Sequence, residues 1–134
     1  MNQCDCHLTG RVVVPDDPFY HEARQDFNRA VQQYPLMIVY AVRWSKACHV
    51  PLRIRNGGHN YEGYSSGNGT LVIDVSEMHG IFLDESQNAL YVQGGATNGQ
   101  VYQFLSSRGY PFPGGTCPTV GISGYATGGG WGLS

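Results

Sequence analysis

Two glycine-rich stretches hold the side chains whose types and spacing could do chemistry. The first runs Arg55-Asn56-Gly57-Gly58-His59-Asn60-Tyr61-Glu62-Gly63-Tyr64-Ser65. Paired glycines let a backbone approach a ligand closely and take positive φ. Successive N–H groups in such a turn form an anion nest, which suits a pyrophosphate. His59 adds an imidazole, Arg55 a positive charge, and Asn56, Asn60 and Ser65 polar side chains. The second stretch runs Gly114-Gly115-Thr116-Cys117-Pro118-Thr119-Val120-Gly121-Ile122-Ser123-Gly124, then on to Gly128-Gly129-Gly130-Trp131-Gly132. It has few side chains to offer, so its backbone must make the contacts. Gly115, Thr116, Val120, Gly121 and Gly124 are therefore candidates for backbone contact beside Cys117.

Taken singly, these signals are weak. A histidine in a glycine-rich turn is usually structural, and a cysteine before proline is usually a small core residue. Neither GxxxxGK nor a GxGxxG following a strand is present. His7, His21, His49 and His79 have no reactive context and read as surface or packing residues. Tyr61, Tyr64, Tyr125 and Trp131 read as packing in the core or in a site wall. Cys4-x-Cys6-His7 with Cys48-His49 fits neither CxxC fingers nor the CxxCH pattern, so no metal site is expected.

The elements that must position the loops follow from periodicity. Asp16-Asp17-Pro18 is a helix start. Ala23, Phe27, Ala30, Val31 and Tyr34 recur at helical spacing, which predicts a helix over Pro18–Tyr34, ended by Pro35. Leu36–Tyr40, Leu52–Arg55 and Thr70–Val75 read as strands. Ile81–Leu83 and Leu90–Gln93 flank the polar Asp84–Asn88, a β-hairpin. Asn98 is expected to cap a helix from Gly99 to Arg108, with Gly109 as its stop. Ala41–His49 has helical character but follows a strand with no turn residue, which suggests that residues are absent before Ala41.

Composition excludes several classes. The chain has 134 residues, about one domain's length. A net charge of −2 leaves no basic stripe for nucleic acid. Its longest apolar run, Leu36–Val42, falls short of a membrane span. The first residues lack a signal peptide's basic and apolar blocks, so a cytoplasmic location is expected. Of 19 glycines only Gly10 precedes Gly57, and nothing after Arg108 is charged.

The two loops, in this order, resemble the FAD-linked oxidases of the vanillyl-alcohol-oxidase-like fold. They are most similar to the berberine-bridge-enzyme-like group. That group carries an Arg-x-Gly-Gly-His loop followed by Tyr-Glu-Gly, and a Gly-Gly-x-Cys-Pro-x-Val-Gly loop. The opening Leu8–Val13 and the Asp17-Pro18 helix look like bacterial members. The resemblance implies an α+β fold, the N-terminal part of a PCMH-type FAD-binding domain. A small βα subdomain would be followed by a mixed sheet with glycine-rich cofactor loops. Residues 1–134 would be part of that domain, the substrate domain and C-terminal segment being absent.

The resemblance also implies FAD held bicovalently. His59 would bond the flavin 8α-methyl through a ring nitrogen, and Cys117 would bond flavin C6 through sulfur. It implies hydride transfer from an alcohol or a sugar hemiacetal carbon, with O₂ or another acceptor reoxidising the flavin. The catalytic base, a tyrosine in the family, would lie outside this segment. Two positions depart from the pattern: Asn56 stands where many members have serine, and Tyr125 where many have histidine. Alternatives are a non-catalytic ligand-binding or coat-type protein that keeps the fold, and a flavoprotein linked through His59 alone.

Overall fold

The computed structural model describes residues 11–27, 29–40 and 51–132. The elements are β1 (Arg11–Val13), α1 (Tyr20–Ala23), β2 (Met37–Tyr40), β3 (Leu52–Arg55), β4 (Leu71–Asp74), β5 (Ile81–Asp84), β6 (Ala89–Val92), α2 (Asn98–Ser106) and α3 (Ile122–Gly128). Helices and strands are mixed, as expected for an α+β chain. The stretch from Ala41 to His49, whose junction suggested absent residues, lies outside the described residues.

One sheet of four strands runs β1-β2-β4-β3. β1 pairs antiparallel with β2, whereas β2 and β3 flank β4 in parallel. β4 is central and buried along its whole length. Its unbroken Leu71-Val72-Ile73 run is what a parallel strand covered on both faces requires. Val72 and Ile38 are fully buried and join Val13, Tyr20 and Ala23 in the core cluster. β5 and β6 form a separate hairpin with Phe82 opposite Tyr91. The Asp84 carboxylate accepts from the amides of Ser86 and Gln87, which tightens its turn.

Three elements differ from the sequence expectation. The helix expected over Pro18–Tyr34 is only four residues long, Tyr20–Ala23. A distant residue ends it: the Arg55 guanidinium donates to the Ala23 carbonyl at 2.7 Å, the acceptor that a further helical turn would have used. The chain then turns so that Asp26 points inward to the same guanidinium. Beyond it, Arg24 donates to Gln32 and to the Gln33 carbonyl.

α2 starts one residue earlier than expected. Thr97 is the N-cap, with a reciprocal capping box to Gln100. Asn98 is instead fully buried. Gly109 does stop the helix: it has φ +77°, and the Tyr110 amide donates back to the Leu105 carbonyl.

α3 lies in a stretch expected to be loop. It has no side-chain cap, and small residues fill it. It is held by tertiary hydrogen bonds, among them Ile122 N–H to the Ala96 carbonyl at 2.8 Å.

Candidate cofactor site

The first glycine loop starts where β3 ends. Arg55 is 5% exposed, its Nε donating to Asp74 at 2.7 Å and its Nη1 to Asp26 at 3.2 Å. This guanidinium thus ties β3, β4 and the segment after α1 together beneath the loop. The charge expected to face a ligand is turned into the protein and matched by two carboxylates. Burial raises the Asp26 pKa, and the facing Asp74 charge adds to that rise; Arg55 pulls the other way.

Asn56 is the next anchor. Its amide nitrogen donates to the carbonyls of Gly94 (2.7 Å) and Ala96 (3.0 Å), and lies 3.4 Å from the Ser123 hydroxyl. The loop is thereby pinned to the end of the hairpin and to α3. Gly58 has φ +67°, which favours glycine. Asn60 organises its own turn, its side-chain oxygen accepting from the Tyr64 amide. Ser65 is half-buried in the same loop, and the neighbouring Ser66 is the buried hydroxyl.

The second loop closes the N-terminus of α2. A helix leaves its first amides without partners. Here Asn98 N–H donates to the Val120 carbonyl and Gly99 N–H to the Pro118 carbonyl, both at 2.9 Å. Thr97 and Gly121 form an antiparallel bridge beside them. The turn bearing Cys117 is therefore fixed by backbone bonds to a capped helix. Tyr102 donates to the Gly115 carbonyl at 2.9 Å, and the Tyr125 ring packs against Gly115. Thr116 is exposed at the surface of the loop, and open space surrounds Gly124.

The two reactive side chains meet at one hydroxyl. His59 Nε2 lies 3.0 Å from Thr119 Oγ1, and Cys117 Sγ lies 3.3 Å from the same oxygen. Burial lowers the His59 pKa, partly opposed by a hydrogen bond with the Thr119 backbone, so the ring is neutral near pH 7. Phe27 stacks on it, ring centroids 4.0 Å apart and planes 16° from parallel. Cys117 is a free thiol whose pKa is lowered, first by the Thr119 hydroxyl and then by hydrogen bonds from the backbone of Thr119 and Val120.

Sequence reasoning missed Thr119, Phe27 and the buried partners of Arg55. Thr119 occupies a variable position of the second loop's motif, and Phe27 was assigned to a helix face. The amide of Asn98 is buried beside Gly115 with neither its oxygen nor its nitrogen hydrogen-bonded. The Thr97-x-x-Gln100 capping box was present in the sequence and would have freed Asn98 from the cap role. Tyr61, Tyr64 and Trp131 are exposed rather than in the core. Among the described residues no group of three metal-ligating side chains occurs, and no helix is long and apolar enough to cross a membrane.

A family model described as FAD binding domain matches residues 36–134. The chain belongs to the FAD-binding domain family. FAD-linked oxidoreductase YgaK of Bacillus subtilis, itself described as uncharacterized, is 42% identical over 135 residues, covering 94% of this chain and 30% of YgaK. The structure of BBE-like 1 from Physcomitrella patens superposes with a TM-score of 0.81 at 30% identity, covering 91% of this chain and 29% of that one. Xylooligosaccharide oxidase from Myceliophthora thermophila C1, solved with xylobiose, gives a TM-score of 0.76 at 25% identity, covering 90% of this chain and 28% of that one. The chain thus spans under a third of the length of these relatives.

The donor set fits the cofactor of an FAD-binding domain. Gly57 and Gly58 lie in a turn whose positive φ at Gly58 suits an anion nest. An imidazole and a thiol sit at its edge, sharing one hydroxyl. The chain beyond Arg108 carries no Asp, Glu, Lys or Arg.

Proposed function

We propose that this chain is the first part of the FAD-binding domain of an oxidoreductase. The whole protein would oxidise an alcohol or a sugar hemiacetal carbon, removing hydride, and pass the electrons to O₂ or another acceptor. When bound, FAD supplies the two-electron chemistry. The chain's own residues bind and orient it. Gly57 and Gly58 offer backbone N–H groups to the pyrophosphate, with Asn56 and Arg55 holding that turn from below. His59 and Cys117 are the attachment residues, and Gly115, Thr116, Val120, Gly121 and Gly124 form the loop beside the ring. The base that removes the hydroxyl proton belongs to sequence beyond this segment.

The observation that carries this reading is the meeting of His59 and Cys117 at Thr119. Two residues 58 positions apart are brought to one hydroxyl. The loop bearing His59 is pinned by the Asn56 side chain, and the loop bearing Cys117 by backbone hydrogen bonds to the start of α2. A small-molecule carbohydrate substrate is favoured by the likeness to the xylooligosaccharide oxidase. The cytoplasmic location is part of the same proposal.

The test uses the full-length protein. Denaturation should leave yellow colour on the polypeptide, and peptide mapping should find it on the His59 and Cys117 peptides. His59→Ala should retain only the sulfur link, and Cys117→Ala only the imidazole link. Complete release of colour from the wild type defeats covalent attachment. Absence of steady-state oxidation across alcohols and sugars favours the non-catalytic, ligand-binding alternative.

A further inference from the structure

Thr119 carries a single hydroxyl proton, yet its oxygen is within hydrogen-bond distance of both His59 Nε2 and Cys117 Sγ. Because the hydroxyl can donate to only one of them, two limiting arrangements run in opposite directions. In one, the Cys117 thiol donates to Thr119 Oγ1, the hydroxyl donates to His59 Nε2, and the ring proton sits on Nδ1. In the other, His59 Nε2–H donates to Oγ1 and the hydroxyl donates to a Cys117 thiolate, which leaves Nδ1 with a bare lone pair. The two differ by one proton.

The geometry points to Thr119 as the positioning residue that arms both attachment side chains in one event: ionisation at Cys117 also turns His59 into the tautomer with a nucleophilic Nδ1. The proton balance closes without any redox step. The thiol proton passes to Oγ1, the Thr119 proton passes to Nε2, and Nδ1 releases its proton to solvent. No other bond breaks.

The surroundings favour this coupling. At the sulfur, hydrogen bonds from the backbone of Thr119 and Val120 stabilise the thiolate. Phe27 stacks on one face of the imidazole, and burial disfavours the imidazolium, which keeps the ring in a choice between two neutral tautomers. Asp26, Arg55 and Asp74 lie behind the Gly57–Gly58 turn and are paired with one another. Tyr102 and Tyr125 face Gly115 from α2 and α3.

The inference rests on His59 and Cys117 being the attachment residues, but its test does not require attachment. Full-length protein is prepared without flavin from a riboflavin-limited host. Alkylation of Cys117 by iodoacetamide is followed against pH by peptide mass spectrometry. The His59 tautomer is read over the same range from ¹⁵N-labelled histidine by NMR. The expected result is one shared midpoint for thiol ionisation and the change to the Nε2–H tautomer. Thr119→Val should slow alkylation at neutral pH by about 10-fold, the effect of losing a hydrogen bond to a charged group, and should abolish the tautomer change. Thr119→Ser should restore both.

A wild-type His59 tautomer that stays constant through the thiol midpoint overturns the coupling, as does a Thr119→Val protein with wild-type profiles. If Thr119→Val does not fold, Cys117→Ser decides. Its hydroxyl does not ionise in this range, so the tautomer change must vanish, and its persistence overturns the coupling. Peptide mapping of the flavin-loaded protein reads attachment independently. Missing links with a shared midpoint would defeat the attachment reading and uphold the coupling.

Discussion

Gly57 and Gly121 meet backbone to backbone. A Cβ added to Gly57 would lie 2.7 Å from the Gly121 amide nitrogen and 2.6 Å from the Thr119 carbonyl oxygen. A Cβ on Gly121 would in turn lie 2.4 Å from the Asn56 amide nitrogen. The two glycine-rich loops are thus a single interlocked unit. This contact sets the distance between the turn bearing His59 and the turn bearing Cys117.

Gly57→Ala and Gly121→Ala should therefore each destabilise the full-length protein by about 1–3 kcal/mol, the usual cost of overpacking a close contact. The clashes are with backbone and with a hydrogen-bonded amide, so little can give way. Urea denaturation reads the loss, and flavin content should fall with it. Gly124→Ala is the control, since its added Cβ would have nothing within 4 Å. Equal stability for Gly57→Ala and Gly124→Ala would show that the interlock is not tight.

Arg55 supports a different kind of prediction. Removing one partner of a buried ion network leaves the other charges unpaired, at about 3–5 kcal/mol. Arg55→Ala should cost in that range, since Asp26 and Asp74 would both remain buried. Asp26→Asn should behave oppositely. Burial disfavours the Asp26 carboxylate, and one guanidinium serves two acids. The amide keeps an acceptor for Arg55 without the excess charge, so thermal unfolding of Asp26→Asn should occur at or above the wild-type temperature. A marked fall would show that the guanidinium needs both charges.

Legibility in the sequence follows the range of the forces involved. β4 was readable as a strand because the β-branched Thr70–Val75 stretch is a local signal, although its burial along the whole length shows only in the sheet. Gly109 was readable because a left-handed residue after a helix is a local event. The length of α1 was not: its apolar spacing continues to Tyr34, but Arg55, more than thirty residues on, takes the Ala23 carbonyl. α3 was invisible because bonds to the segment around Ala96, not its own periodicity, hold it. His59 and Cys117 stood out by type and loop context. Thr119 did not, because its importance comes only from lying between them.

The depressed His59 pKa has a stability consequence whose sign is fixed. The folded ring binds its proton less readily than the unfolded ring, whose ordinary value is 6.5. The unfolded state therefore takes up protons first as pH falls, and stability drops through that window. The stabilising contribution is complete above the unfolded value and is lost as pH falls through the folded one. Urea midpoints of the wild-type protein should decline relative to His59→Ala between about pH 7 and about pH 5. A wild type that gains on the variant over that range would mean that the imidazolium, not the neutral ring, is favoured in the fold.

Asn56 tests whether the site is organised from the loop or from its support. Its amide nitrogen satisfies the Gly94 and Ala96 carbonyls, which join β6 to α2. Asn56→Ala leaves the Gly94 carbonyl to find another partner, while the Ala96 carbonyl keeps the Ile122 amide, and one orphaned buried group costs about 1–3 kcal/mol. The alanine also removes the side chain that Gly121 packs against, so the interlock loosens at the same step. Asn56→Ser retains one donor on a shorter arm and should recover part of the loss. The informative measurement is the pairing of denaturation midpoint with Cys117 alkylation rate. If support sets the geometry, the alanine variant loses stability and also alters thiol reactivity, because the turn carrying Thr119 and Cys117 shifts relative to His59. Unchanged thiol reactivity in a destabilised Asn56→Ala would show that the Cys117 loop takes its position from the capped end of α2 alone, through the Val120 and Pro118 carbonyls.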